Sequence, residues 1–271
     1  MSIVLKDKTL SVIDPMWQRI RQEAENIHDD EPALAGFVFQ TILAHDNLET
    51  AIAYRMAQLL GTVDVGSMLI QQIFEEAISA DKVIMSAVRA DIVAFNERDP
   101  AATRYIEALL YFKGFQAIIT HRIAHWLFNQ GRTDLAFYLQ SCSSRLFSVD
   151  IHPRVQIGHS IFLDHATGLV IGETAIIEDE VSILQNVTLG GTGNDIGDRH
   201  PKVRHGVLIG AGAKILGNIE IGHCARVGAG SVVLKSVPPN KTVVGVPAKI
   251  VGEAGCREPA LKMDQINWDK I

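Results

Sequence analysis

The chain has 271 residues, 47% of them hydrophobic and 21% charged, which excludes a disordered protein and fits one large or two smaller domains. A net charge of −6 without a cluster of Lys and Arg argues against nucleic-acid binding, and no apolar run reaches the roughly 18 residues of a membrane span. The opening MSIVLKDKTL lacks the apolar stretch of a signal peptide, and the three widely spaced cysteines indicate reduced thiols in a cytoplasmic protein.

The first half of the chain has the 3.6-residue apolar period of α-helices. Asp14 followed by Pro15 predicts a helix start, with Asp as the N-cap and Pro at the first helical position. Pro32 and Asn47 predict the starts of two more helices. Later segments repeat the amphipathic pattern: Ala80–Asn96, Pro100–Lys113 and Phe115–Asn129. We therefore expect an all-helical domain over residues 1–147, which serves as an assembly platform or as one wall of a site.

The second half has a six-residue period instead. Every sixth residue is Ile, Leu or Val in three successive registers: Ile151, Ile157, Leu163, Leu169; Ile171, Ile177, Ile183, Leu189; Ile209, Ile215, Ile221, Val227, Val233. Residues six apart are rotated by about 240° on an α-helix, so this period does not describe a helix face. It predicts a prism of short parallel strands, in which each hexad points one aliphatic side chain inward and small residues turn the corners.

The prism also accounts for an imbalance in the composition. The chain has 22 glycines but only 6% aromatic residues, and only four of the glycines lie in the first 130 residues. Glycine suits the prism corners, and stacked Ile, Leu and Val leave little room for rings in the core.

The repeat is interrupted twice. The register shifts by two residues between Leu169 and Ile171, and a polar, glycine-rich insertion over residues 190–205 separates Leu189 from Ile209. A solenoid has little structural reason for such a loop, so functional residues are expected around it.

Several motifs accompany the repeat: Arg98-Asp99-Pro100, Asp150-Ile151-His152-Pro153, Leu163-Asp164-His165-Ala166-Thr167-Gly168, Thr188-Leu189-Gly190-Gly191-Thr192, Asp198-Arg199-His200-Pro201 and Gly245-Val246-Pro247-Ala248. With them, nearly the whole chain resembles the bacterial serine O-acetyltransferases of the hexapeptide-repeat acyltransferase superfamily. The resemblance implies an α+β fold, with the helical domain at residues 1–147, a left-handed parallel β-helix at 148–251 and a flexible C-terminal tail at 252–271. The left-handed coil is an exception to the usual right-handed crossover. Trimers through the prism are implied as well, with two trimers joined by the helical halves into a homo-hexamer.

The implied reaction moves the acetyl group of acetyl-CoA to the hydroxyl of L-serine in cysteine biosynthesis, without a metal and with feedback inhibition by L-cysteine. His165 is the candidate general base, because a neutral imidazole is suited to deprotonate an attacking alcohol near pH 7. A carboxylate on its other nitrogen would hold the ring, and the resemblance supports Asp150 in that role. Asp150 lies fifteen residues earlier, so it reaches His165 only along the stack of coils or across a subunit boundary.

The amino-acid substrate needs partners for its two charged groups. Arg199 offers a fork of donors to the carboxylate, with His200 beside it. The resemblance places Asp164 and Asp99 at the amino end, with Pro100 next to Asp99. An alternative role for Asp99 is that of a cap before Pro100, and the two roles are compatible.

Acetyl-CoA needs a groove where the backbone lies close to the pantetheine arm. Gly191, Ala211 and Ala229 are the candidate positions, and the Gly191 N–H is a candidate donor to the oxyanion. The alternative is that these residues are only tight corners of the prism. Lys249 is a candidate for a CoA phosphate, or else a solvated lysine.

Two other activities remain open at this stage. Homoserine or another small hydroxyl compound would suit the same chemistry. A zinc carbonic anhydrase of the same fold would use His200 and His205 with a third imidazole from His165 or His152, although Arg199 is an unfavourable neighbour for a metal.

The last residues leave the repeat and end at Ile271. In the family such a terminal isoleucine inserts into the active site of O-acetylserine sulfhydrylase, which the resemblance implies as a partner.

Overall fold

The computed structural model describes residues 14–193 and 196–264. Its helices α1–α9 are Pro15–Asp30, Ala35–Val38, Leu48–Leu60, Ser67–Ala80, Lys82–Arg98, Tyr105–Leu110, Lys113–Asn129, Thr133–Phe147 and Pro259–Lys262. The Asp14 carboxylate accepts from the amides of Met16 and Trp17, and Asn47 accepts from the Thr50 amide, which confirms both predicted N-caps. Among the described residues, none of these helices is long and apolar enough to cross a bilayer.

The segment after α1 is helical, as predicted, but it is divided. A 3₁₀ turn at Pro32–Leu34 leads into the short α2, and a π-helical turn follows at Phe39–Leu43. This turn buries Thr41 and Ile42 against the helical core.

The second half forms a solenoid of parallel strands with about five turns. Strands β1–β15 are Val149–Ile151, Gln156–Ile157, Phe162–Leu163, Leu169–Ile171, Ile176–Ile177, Ser182–Ile183, Thr188–Gly190, Lys202–Val203, Leu208–Ile209, Lys214–Leu216, Glu220–Ile221, Arg226–Val227, Val232–Val233, Lys241–Gly245 and Ala248–Glu253. The first sheet is β1-β4-β7-β10-β13, the second is β2-β5-β8-β11, and the third is β3-β6-β9-β12-β14-β15. A helical half followed by a parallel β-solenoid confirms the predicted fold class.

The register shows where the repeat is interrupted. Ile171 pairs with Leu189 eighteen residues on, which is the length of an uninterrupted turn, whereas Ile151 pairs with Ile171 twenty residues on. The predicted shift between Leu169 and Ile171 is wrong, because both residues belong to β4 and Leu169 pairs with Val149. The two extra residues lie in the turn before β4, because a corner can expand without breaking a strand ladder.

The second interruption lies where the sequence predicts it. Leu189 pairs with Ile215, twenty-six residues on, so this turn carries the large insertion. The insertion enters at the corner between the first and second sheets.

Three columns of turns, or corners, run along the solenoid. The first corner joins the first and second sheets, the second corner joins the second and third, and the third corner joins the third back to the first. The described residues of the first corner are 152–155, 172–175, 191–193, 196–201 and 217–219; those of the second are 158–161, 178–181, 204–207 and 222–225; those of the third are 164–168, 184–187, 210–213 and 228–231.

The two halves share a core, and a buried ion pair of the helical half also forms hydrogen bonds to the solenoid. Asp91 of α5 lies 2.7 Å from Arg122 Nη2 of α7 and also accepts from the Ile161 amide of the solenoid. Arg122 in turn donates to the Gly158 carbonyl. Helix α7 packs so closely that a Cβ on Gly114 would lie 2.0 Å from the Leu163 carbonyl oxygen. The helical half is therefore held directly against the second corner and β3.

The chain after the last parallel strand folds back on the solenoid. Strand β15 pairs antiparallel with β14, and α9 packs against α5 and the third sheet. Ile271 lies outside the described residues.

Candidate functional site

A cleft of about 730 Å³ opens between the helical half and the third corner. It brings together three of the predicted site residues, Asp99, Asp164 and His165, with Arg104 and Lys113 of the helical half also in its wall. Asp99 and Asp164 come from different halves of the chain, so the helical half lines one wall of this cleft.

His165 stands on the corner that contains the two extra residues. Its φ is 53° and that of Ala166 is 56°, a left-handed conformation that L-residues rarely adopt in succession. The His165 side chain is 75% exposed, with Nε2 3.8 Å from Asp164 Oδ1. Lys113 donates to the Thr167 hydroxyl and braces the turn from α7. The expanded corner therefore presents the imidazole at the mouth of the cleft.

The two acidic residues face each other across the cleft. Burial raises the pKa of the Asp164 carboxyl, the neighbouring His165 lowers it, and the charge of Asp99 raises it. Asp99 Oδ1 accepts from the Ala101 amide at 2.9 Å in the turn after α5, so Asp99 caps this turn and not a helix, because α6 begins only at Tyr105. Pro100 is exposed in the turn after α5. The carboxylate pair is arranged to receive a cation.

Asp150 lies on β1, one turn below His165. Its carboxylate accepts from Gln140 Nε2 of α8 at 2.6 Å. The corner that carries His165 stacks on the start of β1, because the Gly168 amide donates to the Ser148 carbonyl at 2.8 Å. The sequence leaves two routes from Asp150 to His165, along the stack of turns or across a subunit boundary. This backbone hydrogen bond joins the two turns along the stack. Gln140 has no signal in the sequence, since only packing brings α8 to β1.

A second group of predicted residues lies at the first corner. The His200 ring is buried, and its Nδ1 accepts from the Thr174 amide at 3.2 Å, which leaves the proton of the neutral ring on Nε2. Burial, and then the Arg199 charge, lower the pKa of His200. A Cβ on Gly172 would lie 2.0 Å from His200 Nε2, so only glycine leaves room for the ring.

Arg199 is partly engaged within the chain. Its Nη2 lies 2.8 Å from Glu173 Oε2, and Nη1 donates to the Gly197 carbonyl. Arg199, with Arg154, lowers the pKa of Glu173. The sequence interpretation missed Glu173, whose only signal is its place one turn below Arg199 at the same corner.

The candidate CoA residues are also divided between corners. Ala211 and Ala229 stack on successive turns of the third corner, where the Gly230 amide donates to the Ala211 carbonyl at 2.8 Å. They lie on the same corner as His165, further along the solenoid. Gly191 lies at the first corner, and Lys249 is exposed on β15.

The space around each glycine shows whether packing would allow a larger residue at that position. A Cβ on Gly210 would lie 2.6 Å from the Ala229 nitrogen, so Gly210 is required by the packing of the corner. A Cβ on Gly191 would meet nothing closer than Arg199 Cδ at 3.5 Å. Packing within the chain therefore does not require glycine at position 191.

The two histidines that a zinc site would need lie at different corners of the prism. His200 lies at the first corner, whereas His205 lies at the second, where its Nε2 is 3.5 Å from Glu180. The two imidazoles do not converge.

A family model for the serine acetyltransferase N-terminal region matches residues 16–120, and one for bacterial transferase hexapeptide repeats matches residues 200–235. A serine acetyltransferase of Salmonella typhimurium is 53% identical over 253 residues, which is 93% of each chain.

Solved structures agree. A serine acetyltransferase from Brucella abortus in complex with coenzyme A is 56% identical, with a TM-score of 0.89 over 90% of this chain and 98% of that one. A serine acetyltransferase in complex with cysteine is 52% identical, with a TM-score of 0.91 over 93% of this chain and 98% of that one. The helical half and the hexapeptide solenoid are thus shared with these enzymes, and the chain belongs to the serine acetyltransferase family of acyltransferases.

Proposed function

We propose that this enzyme transfers the acetyl group of acetyl-CoA to the hydroxyl of L-serine, releasing O-acetyl-L-serine and CoA. The observation that carries the proposal is the exposed His165 imidazole at the mouth of a cleft that also holds the Asp99 and Asp164 carboxylates. The CoA complex of the Brucella relative supports the acetyl donor.

His165 acts as the general base. Its imidazole takes the proton of the serine hydroxyl as that oxygen attacks the thioester carbonyl, and the tetrahedral intermediate then expels the CoA sulfur. The sulfur takes the same proton back from the imidazolium, so the enzyme ends unchanged. Asp150 stabilises the imidazolium from the turn below, giving up its hydrogen bond to Gln140 for one to His165. The Gly191 N–H donates to the oxyanion of the tetrahedral intermediate.

The serine substrate is held at both ends. Asp99 and Asp164 bind its ammonium group, with Pro100 shaping the turn beside them, while Arg199 and His200 bind its carboxylate. The first pair lies between the end of α5 and the third corner, whereas the second pair lies at the first corner of the same prism. A complete pocket therefore requires the first corner of a second copy against the third corner of the first.

This requirement supports the trimer. Val170 on the outer face of the first sheet and Leu234, directly after β13, are exposed apolar side chains that a neighbouring prism would cover. The helical half exposes another apolar set, which supports the joining of two trimers into a hexamer: Leu34, Phe39, Val63, Met68 and Leu69.

Acetyl-CoA lies along the third corner. Ala211 and Ala229 admit the pantetheine arm because their side chains are only methyl groups, and Lys249 meets a phosphate. No metal takes part.

L-Cysteine is the proposed feedback inhibitor. It shares the ammonium and carboxylate of serine and differs at the attacking atom, and the cysteine complex of a relative supports its binding. In the cytoplasm, the tail ending at Ile271 binds O-acetylserine sulfhydrylase.

The test is a thiol-release assay with acetyl-CoA and a panel of L-serine, L-homoserine and L-threonine. We expect serine to be preferred and His165→Ala to lower kcat by about 10²–10⁴-fold. His28→Ala, which removes an exposed imidazole on α1, is the control and should retain activity. Equal activity of His165→Ala and the unmodified enzyme would overturn the mechanism, and a preference for homoserine would overturn the substrate.

A further inference from the structure

Arg98 is the last residue of α5 and is only 3% exposed. Its Nη2 donates to Ser160 Oγ at 2.8 Å, and its Nη1 donates to Ser182 Oγ at 3.1 Å and to the Val181 carbonyl at 3.5 Å. Within the described part of the chain it forms no ion pair, and its Nε has no hydrogen-bond partner. A buried cation held only by neutral groups is costly, so packing alone is a poor reason for an arginine here.

Arg98 is adjacent to the cleft through the backbone. Asp99 follows it directly, and the Asp99 amide still donates to Phe95 as the last bond of α5. The two hydroxyls that hold the Arg98 guanidinium belong to the solenoid, as does Asp164. Arg98 therefore ties the helix end that carries one carboxylate to the structure that carries the other.

Ser182 connects this anchor to the C-terminal part of the chain. It is fully buried on β6, and its Oγ donates to the Ala260 carbonyl of α9 at 2.9 Å. A serine hydroxyl has a single proton, so the bond to Ala260 leaves its lone pairs for the Arg98 guanidinium. Helix α9 thereby sets the orientation of the hydroxyl that receives Arg98.

We propose that Arg98 is a positioning residue for serine, which holds Asp99 at its distance from Asp164, and that α9 controls it through Ser182. The inference rests on the proposed function, because the two carboxylates are taken as the ammonium site. It adds a route by which the C-terminal segment 254–264 changes serine binding without entering the cleft.

The first test is Ser182→Ala, assayed for both substrates. We expect the KM for L-serine to rise about three- to tenfold, because the Arg98 guanidinium loses one hydrogen bond. The KM for acetyl-CoA and kcat should stay within twofold. Thr120→Val, which removes a buried hydroxyl of α7 outside this relay, is the matched control and should change neither constant. Ser182→Thr retains the hydroxyl and should restore the KM for serine. If the role of Ser182 were purely structural, Ser182→Ala would instead lower the free energy of unfolding and change the KM values for both substrates together.

The second test separates α9 from the end of the chain. Removal of residues 256–271 deletes α9 and should raise the KM for serine as Ser182→Ala does, whereas removal of residues 265–271 should not. The deletion of 256–271 and Ser182→Ala should not be additive, because both break the same relay.

The outcomes are distinct. An unchanged KM for serine in Ser182→Ala, or additive effects of the two changes, overturns the positioning role while serine acetylation by the unmodified enzyme upholds the proposed function. An unmodified enzyme that fails to acetylate serine overturns both.

Discussion

The helical half and the solenoid hold their side chains in different ways. In the solenoid, each inward side chain packs on its counterparts one turn above and below, so Ile151, Ile171 and Leu189 follow one another in register. In the helical half, contacts join residues far apart in sequence, as in the pair of Asp91 and Arg122. The position of a solenoid residue is therefore readable from the repeat, whereas that of a helical residue depends on tertiary packing.

The cleft combines the two kinds of support. Asp164 and His165 belong to a corner turn whose place is set by the repeat, and Asp99 belongs to a helix end whose place is set by buried contacts. Changes on either side should damage the site for different physical reasons, and three experiments separate them.

The largest expected effect is on the helical side. Asp91→Ala should lower the free energy of unfolding by about 3–5 kcal/mol, because it leaves Arg122 as an uncompensated buried charge and removes the acceptor of the Ile161 amide. Denaturant unfolding at fixed protein concentration measures the loss. Asp64→Ala, an exposed loop change, should stay within about 0.5 kcal/mol. A loss below about 1 kcal/mol for Asp91→Ala would show that the two halves are held together mainly by apolar packing.

The second effect is on the solenoid side. In Gly172→Ala the new methyl would lie 2.0 Å from His200 Nε2, so the ring must move, at a cost of about 1–3 kcal/mol. We also expect at least a tenfold fall in kcat/KM for serine, measured by thiol release. Gly36→Ala is the control, because a Cβ there meets nothing within 4 Å. Normal serine kinetics in Gly172→Ala would remove His200 from the substrate site.

The smallest effect depends on pH. Complete burial holds the pKa of His121 well below its usual value. The folded protein therefore resists protonation at His121 while the unfolded chain accepts the proton, so stability is full above about pH 6.5 and falls below it, by at most about 1.4 kcal/mol per pH unit.

His121→Gln, which keeps a donor for the Val155 carbonyl, should flatten this acid slope in unfolding experiments between pH 7 and 5. Asn47→Ala removes a helix cap and no titrating group, so it should lower the curve by about 1 kcal/mol at every pH. An unchanged slope in His121→Gln would assign the acid sensitivity to other groups.

Some local features were predictable because their causes are local. The caps at Asp14 and Asn47 depend on a side chain and an amide two or three residues away, and both are present. The two-residue interruption was misplaced because Leu169 and Ile171 are both inward-facing in β4, so the alternation within one strand imitated a break in the six-residue period. Gln140 and Glu173 were missed because their partners are brought to them only by folding.

The sequence by itself determined the class of fold, since a strict period of six is compatible with stacked short strands and not with helices. It also carried the motifs that hold Asp99, Asp164 and His165. Only the tertiary structure decided that these three share one cleft while Arg199 and His200 lie at another corner. The reason is that the period sets the position of a residue around the prism, but the docking of α5 and α7 against the solenoid depends on buried contacts between distant parts of the chain.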